Sequence, residues 1–270
     1  MAPNHRAPEE PTRHSAGGPR HAAPDEYDDW FDQPATSSKA IADLYDAPSA
    51  MCRAVRKVYR TADEEVVALI DVDKDFPAGR VTSIVGPSGS GKSSLLRILA
   101  CVDRPTDGSV QIAGRELGGL GTRGRRALRR TSVAYVFQNP IDNLVEYLDV
   151  TQQLQLAARL RGVKPDAEQI DRLLDRLGLT ARATHKPVQL SGGEQQRVAV
   201  ACAVVGHPAI VVADEPTAEL DSSSAERVLQ AVQDMREEGV AFILSSHDPA
   251  VVAASDHVLR LEHGRVVESW

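Results

Sequence analysis

The sequence predicts an α/β fold: a mainly parallel sheet flanked by helices, with a small antiparallel β layer and a helical subdomain. Three observations carry this. The β-branched run 81–85, the apolar run 210–213 and the run 241–245 read as strands, the 210–213 run apolar on both faces as in a central parallel strand. Apolar residues at helical spacing fill the region between 150 and 178. The segment Gly86-Pro-Ser-Gly-Ser-Gly-Lys-Ser93 stands between a strand-like run and a helix-periodic one, giving the order strand, glycine loop, helix.

The first fifty residues differ in kind from the rest. They hold seven of the sixteen prolines, four Lys/Arg and nine Asp/Glu, so they carry −5 of the chain's net −7. Such a segment buries too little apolar surface to offset its ordering entropy, which predicts a disordered acidic tail over 1–50. Within it, residues 25–32 combine five acidic side chains with three aromatics. That patch reads as a solvated stretch or as a short docking motif.

From residue 51 the elements follow in order. Residues 53–80 and 108–114 read as short strands with turns, the antiparallel layer. Residues 81–85, the glycine loop and the helix-periodic 94–100 come next. The stretch 114–130 ends in a basic segment with Arg123, Arg125, Arg126, Arg129 and Arg130. It has no nucleic-acid reader motif and the chain is acidic overall, so no nucleic-acid partner is expected; a solvated helix face is the simpler reading, with lipid headgroups or a membrane partner as the other. Residues 133–137 read as a strand. One helix carries Leu154, Ala157, Ala158 and Leu160 and ends near Gly162; another starts after Asp166 and repeats Ile170, Leu173, Leu174 and Leu177 before Gly178. Residues 256–267 read as a hairpin turning at Gly264.

The glycine loop is the spacing G-x-x-x-x-G-K-S of a nucleoside-triphosphatase phosphate loop, which makes the core a P-loop NTPase. Backbone N–H groups and the helix dipole would face phosphate. Gly86, Pro87, Ser88, Gly89, Ser90, Gly91, Lys92, Ser93 and Ser94 are therefore the candidate nucleotide-binding residues. Lys92 would reach the β- and γ-phosphates, and the Ser93 hydroxyl would ligate Mg²⁺.

Two further motifs narrow the reading. Leu190-Ser-Gly-Gly-Glu-Gln-Gln-Arg197 is followed by Ala209-Ile-Val-Val-Ala-Asp-Glu-Pro216. Together with the phosphate loop, and in this order and spacing, they resemble the ATP-binding cassette (ABC) family over about 51–270. Asp214 and Glu215 end a strand, where α/β sheets place their ligand sites. Asp214 would hold Mg²⁺, and Glu215 would take a proton from the attacking water. Ser191 reads as a helix cap with Glu194 completing a capping box, and such a helix start can bind an anion. The resemblance implies that Ser191, Gly192, Gly193 and Glu194 meet the γ-phosphate of ATP held by an opposite subunit, so that a homodimer encloses two ATP molecules.

The same resemblance assigns four more positions. Gln138 matches a glutamine contacting Mg²⁺ and water, and His247 a histidine contacting the γ-phosphate. Tyr59, 27 residues before the loop, matches an aromatic that stacks on adenine. Asp221 matches an interface loop, although Ala218-Glu219 replaces the family's serine-alanine. The helical subdomain spans about 139–190, the region that receives a membrane partner in transporters.

Composition fits. The chain is 42% apolar and 26% charged, ordinary for a globular protein. Its longest apolar runs, such as 198–205, fall far short of the ~20 residues that span a bilayer, and no signal-peptide core is present. Cys52, Cys101 and Cys202 lack metal spacing and read as small core residues of a reduced compartment. The expectation is a cytoplasmic ATP hydrolase, peripheral on the inner face of the cell membrane through an integral-membrane permease. Its motif style is most similar to the lipoprotein-release, macrolide-export and cell-division branch, which favours an exporter. A mechanotransmission switch that moves no substrate shares every one of these residues.

Overall fold

A computed structural model describes residues 48–60 and 64–270. The acidic patch at 25–32 and nearly all of the expected tail lie outside the described residues. The elements run β1 (Pro48–Arg60), β2 (Glu65–Pro77), β3 (Val81–Val85), α1 (Lys92–Leu99), β4 (Asp107–Ile112), β5 (Arg115–Glu116), α2 (Thr122–Ser132) and β6 (Val133–Val136). They continue with α3 (Val150–Leu160), α4 (Ala167–Arg176), α5 (Gly192–Val204), β7 (Ile210–Asp214), α6 (Ser222–Arg236), β8 (Ala241–Ser245), α7 (Pro249–Ala253), β9 (His257–Glu262) and β10 (Arg265–Ser269).

The strands form two sheets. One has four strands in the order β2-β1-β4-β5; the other has six in the order β10-β9-β3-β8-β7-β6. In the larger sheet, β9, β3, β8, β7 and β6 pair in parallel and β10 closes the edge as an antiparallel hairpin. The smaller sheet is antiparallel throughout. The fold is the predicted α/β arrangement with its antiparallel layer.

The core forms on both faces of the parallel sheet because side chains alternate along each strand. Val211 and Ala213 of β7, with Phe242 and Leu244 of β8, pack against the helices α3 to α6. Ile210, Val212, Ala241 and Ile243 point the other way, onto α1 and the antiparallel layer. Parallel strands buried on both faces carry near-continuous apolar runs, which is why β7 and most of β8 read so plainly.

Local signals explain the helix ends. Asp149 caps α3 and exchanges hydrogen bonds with Gln152 in a capping box. Asp166 caps α4 by accepting from the Glu168 N–H. Gly162 and Gly178, both at positive φ, follow the two helices. Arg161, at the end of α3, donates to the Val133 and Ala203 carbonyls at 3.3 and 3.1 Å. It braces the helices after residue 139 against the first residue of β6.

Two boundaries differ from the sequence reading. β1 begins at Pro48, inside the last residues assigned to the tail, because Ala50 is buried and pairs with Ile112. The phosphate-loop helix begins at Lys92 rather than 94, since Gly91 serves as its cap. The three cysteines are free. Burial raises their thiols to about 12, 11 and 12 for Cys52, Cys101 and Cys202, so all three are inert as nucleophiles.

Phe242, the second residue of β8, is 1% exposed. Phe242→Ala is expected to lower unfolding free energy by about 3–5 kcal/mol, read from urea unfolding.

Candidate active site

A cleft of about 680 Å³ opens at the carboxyl end of the parallel strands. Its lining unites residues 86–94 of the glycine loop with Tyr59, Gln138, Asp214, Glu215 and His247. Fourteen of the nineteen residues singled out from the sequence thus meet in one place. Val66, Val67 and Ala68 of β2 complete the wall; nothing in their spacing distinguishes them from other edge-strand residues.

The loop geometry demands its glycines. Gly91 has φ 104, and a Cβ there would lie 2.5 Å from the Ala68 carbonyl oxygen. A Cβ on Gly86 would lie 2.1 Å from the Leu261 carbonyl oxygen. The loop is clasped from outside by the Gly264 N–H, which donates to the Ser90 carbonyl at 3.0 Å. Gly91 caps α1 with no side-chain acceptor, and the first turn holds no acidic residue. The helix therefore presents open N–H groups and its positive end to the cleft. The Lys92 ammonium donates to the Gly86 and Pro87 carbonyls at 2.7 and 3.1 Å, which places a positive charge at the loop's mouth.

Across the cleft, the end of β7 carries both carboxylates and the end of β8 carries Ser245. Ser245 Oγ donates to Asp214 Oδ1 at 2.5 Å and accepts from the Glu215 N–H at 3.0 Å. Glu215 stands at φ 48, in the left-handed region that a non-glycine residue rarely enters. Its N–H also donates to the Ser245 carbonyl, so β8 over-determines the turn. The Glu215 carboxylate meets His247 Nδ1 at 2.8 Å, with Glu215 19% exposed and His247 75% exposed. Ser245 was not singled out from the sequence. A polar residue ending an otherwise apolar strand, two positions before His247, was the available signal. Gln138 projects from the end of β6, where the Asn143 side chain accepts from the Phe137 N–H at 2.7 Å and pins the turn.

Ser93, Gln138 and Asp214 all offer oxygen donors to this cleft, the chemistry Mg²⁺ prefers. Among the described residues no group of three or more His, Cys, Asp or Glu forms a self-sufficient metal site. A Mg²⁺ fits here only as an ion that also takes oxygens from phosphate.

Ser191, Gly192, Gly193, Glu194 and Asp221 do not line the cleft. Ser191 Oγ accepts from the Glu194 N–H at 3.3 Å, and Glu194 accepts from the Ser191 N–H at 2.8 Å, completing the expected capping box. Glu194 also accepts from Arg182 Nε at 2.8 Å. The hydrogen bond from Ser191, opposed by burial and helped by Arg182, holds its carboxyl below the usual range. Asp221 caps α6, and hydrogen bonds from Ser224 and Ser223 pull its carboxyl down to about 2. The two helix starts touch: a Cβ on Gly193 would lie 2.6 Å from Ser224 Cβ.

Comparison with known proteins concerns the family and the fold. The profile of the ABC transporter family matches residues 69–218. The chain is 38% identical over 216 residues to a macrolide export ATP-binding/permease protein of Hahella chejuensis, covering 79% of this chain and 33% of that protein. It is 39% identical over 223 residues to a protein so named in Paracoccus denitrificans, covering 82% and 33%. The chain thus spans about a third of the length of the curated relatives it matches. Among solved structures, a dimeric bacterial ABC transporter cassette, MJ0796, is similar with a TM-score of 0.72 and 34% identity, covering 82% of this chain and 97% of that one. A dimeric post-hydrolysis state of that cassette, bound to ADP and Pi, gives 0.71 and 33%, covering 82% and 97%.

If the loop binds triphosphate as its shape indicates, Gly91→Ala weakens ATP binding by at least about 10-fold, the equivalent of ~1.4 kcal/mol. Isothermal titration measures it, with far-UV circular dichroism expected to stay unchanged.

Proposed function

The chain belongs to the ABC transporter family as an ATPase cassette, and from that premise we propose that two copies close head to tail on two Mg-ATP and drive a membrane permease, as an exporter. The observation that carries this is a separation. The cleft gathers Lys92, Glu215 and His247, while Ser191 stands exposed at a helix start outside that cleft. A helix start exposed outside the cleft suits a phosphate held by another copy.

Within one site the roles divide by geometry. The loop N–H groups and Lys92 bind and orient the phosphates. Glu215 accepts a proton from water as its oxygen attacks the γ-phosphorus and the bond to the β–γ bridging oxygen breaks. His247, whose Nδ1 is hydrogen-bonded to Glu215, fixes the carboxylate, and its other ring nitrogen is the one available to a γ-phosphate. Gln138 and Asp214, with Ser93, are the residues that would hold Mg²⁺, which neutralises charge on the phosphates. Ser245 keeps Asp214 and Glu215 in mutual register.

Closure of such a dimer is an equilibrium that ATP shifts. Moving it from 1:99 to 99:1 takes ~5.5 kcal/mol of differential binding, a sum that two nucleotides bridging one interface can supply. Hydrolysis and phosphate release remove it. Among the described residues no helix is long and apolar enough to cross a membrane. The relatives' printed names pair ATP binding with a permease, which supports that partner and the direction of transport.

Glu215→Gln is expected to lower hydrolysis ~10²–10⁴-fold and to give a stable dimer in Mg-ATP by light scattering; a monomer under those conditions overturns the scheme. Ser245→Ala is expected to lower turnover by about 10-fold or more, measured by phosphate release. Capture of a multi-span membrane protein by Glu215→Gln in Mg-ATP tests the permease. A partner with no transport path would favour a mechanical switch instead.

A further inference from the structure

We propose that Asp103 and Lys57 are positioning residues for the nucleobase, fixing the Tyr59 ring so that one defined face meets the base. The proposal rests on the nucleotide reading above. The Lys57 ammonium stands 4.7 Å from the centre of the Tyr59 ring, over its face. It donates to Asp103 Oδ1 at 2.7 Å and to the Arg104 carbonyl at 2.9 Å. The Tyr59 hydroxyl donates to the other carboxylate oxygen, Asp103 Oδ2, at 3.1 Å. One carboxylate thus holds the ring's tip, and the cation it pairs with covers one face. Tyr59 lines the cleft with Val66, Val67 and Ala68, and the face that Lys57 does not cover is the one proposed to meet the base.

This ion pair is more than surface decoration. The Lys57 and Asp103 side chains are only 11% and 21% exposed. Lys57 is committed to three partners, and its stem is buried in β1. Asp103 stays ionised: burial works against the charge, but the hydrogen bonds from Lys57, the Arg104 N–H and Tyr59 outweigh it and hold the carboxyl below the usual range. A ring fixed in advance loses less freedom when a base stacks on it.

The placement also ties the two ends of a nucleotide together. Asp103 follows α1, whose first turn carries the phosphate loop. The Val102 and Asp103 N–H groups both donate to the Arg97 carbonyl at 3.0 Å, fastening the turn to the helix. Eight residues of helix span roughly 12 Å, so one rigid rod sets the distance between the phosphate loop and the group that holds the ring.

The experiment compares Mg-ATP with Mg-tripolyphosphate, which has phosphates and no base, by isothermal titration on the full chain. Asp103→Ala is expected to weaken ATP about fivefold or more, the low end of base–aromatic stacking, and to leave tripolyphosphate unchanged. Tyr59→Ala should do the same, and the double variant should bind ATP no more weakly than Tyr59→Ala alone. Asp103→Asn, which keeps an acceptor for the hydroxyl, should recover part of the loss. Equal losses for ATP and tripolyphosphate would reduce the cluster to a structural ion pair and overturn the proposal. So would wild-type ATP affinity in Asp103→Ala, or additive effects in the double variant. Should Asp103→Ala fail to fold, Lys57→Met and Tyr59→Phe carry the same comparison. Failure of the wild-type chain to bind either probe would instead overturn the nucleotide reading itself.

Discussion

Everything at the cleft depends on the parallel hydrogen-bonding of four strands. β8 lies between β3 and β7, and its last residue, Ser245, pairs with Ile84 on one side and Asp214 on the other. Because the strands run the same way, the loop after β3, Gln138 after β6, Asp214 and Glu215 at the end of β7, and His247 after β8 all emerge at one edge. In a parallel sheet the register is fixed by apolar side chains buried on both faces, far from the chemistry. The catalytic geometry is therefore inherited from packing. A shift of one residue between β7 and β8 would exchange the two core faces and separate Ser245 from Asp214.

At that edge the chain accepts local strain. Glu215 occupies a left-handed conformation, held by two hydrogen bonds from its N–H to Ser245. The turn aims its carboxylate back at His247 and the loop. An extended backbone at this position would carry the side chain out along the strand instead. The strand below is rigid enough to hold the turn, which is the usual condition for strain to persist at a site.

Much of this was legible in the sequence because each feature had a local cause. Strands buried on both faces are largely apolar or β-branched, the phosphate loop needs glycine where Cβ would strike a carbonyl, and helices α3 to α5 carry side-chain caps in the chain itself. The residues that escaped notice act across long separations. Ser245 matters through Asp214, 31 positions away, and Asp103 through Tyr59, 44 positions away. β5 is only two residues long, too short for any alternation to show. The start of β1 was misjudged because Pro48 shares the tail's composition, whereas its neighbour Ala50 is committed by pairing with Ile112. Separation of Ser191 from the cleft was implied by the family resemblance and by no feature of the segment alone.

The contact between Gly193 and Ser224 gives the outward face an unexpected rigidity. Ser191 begins α5 and Asp221 caps α6, and the two helix starts abut with no room for even a methyl group between them. The two helix starts are therefore one stiff key rather than two independent teeth. Whatever displaces one must carry the other with it. A partner gripping this face would sense a single position and orientation, and tuning one loop by substitution would retune both.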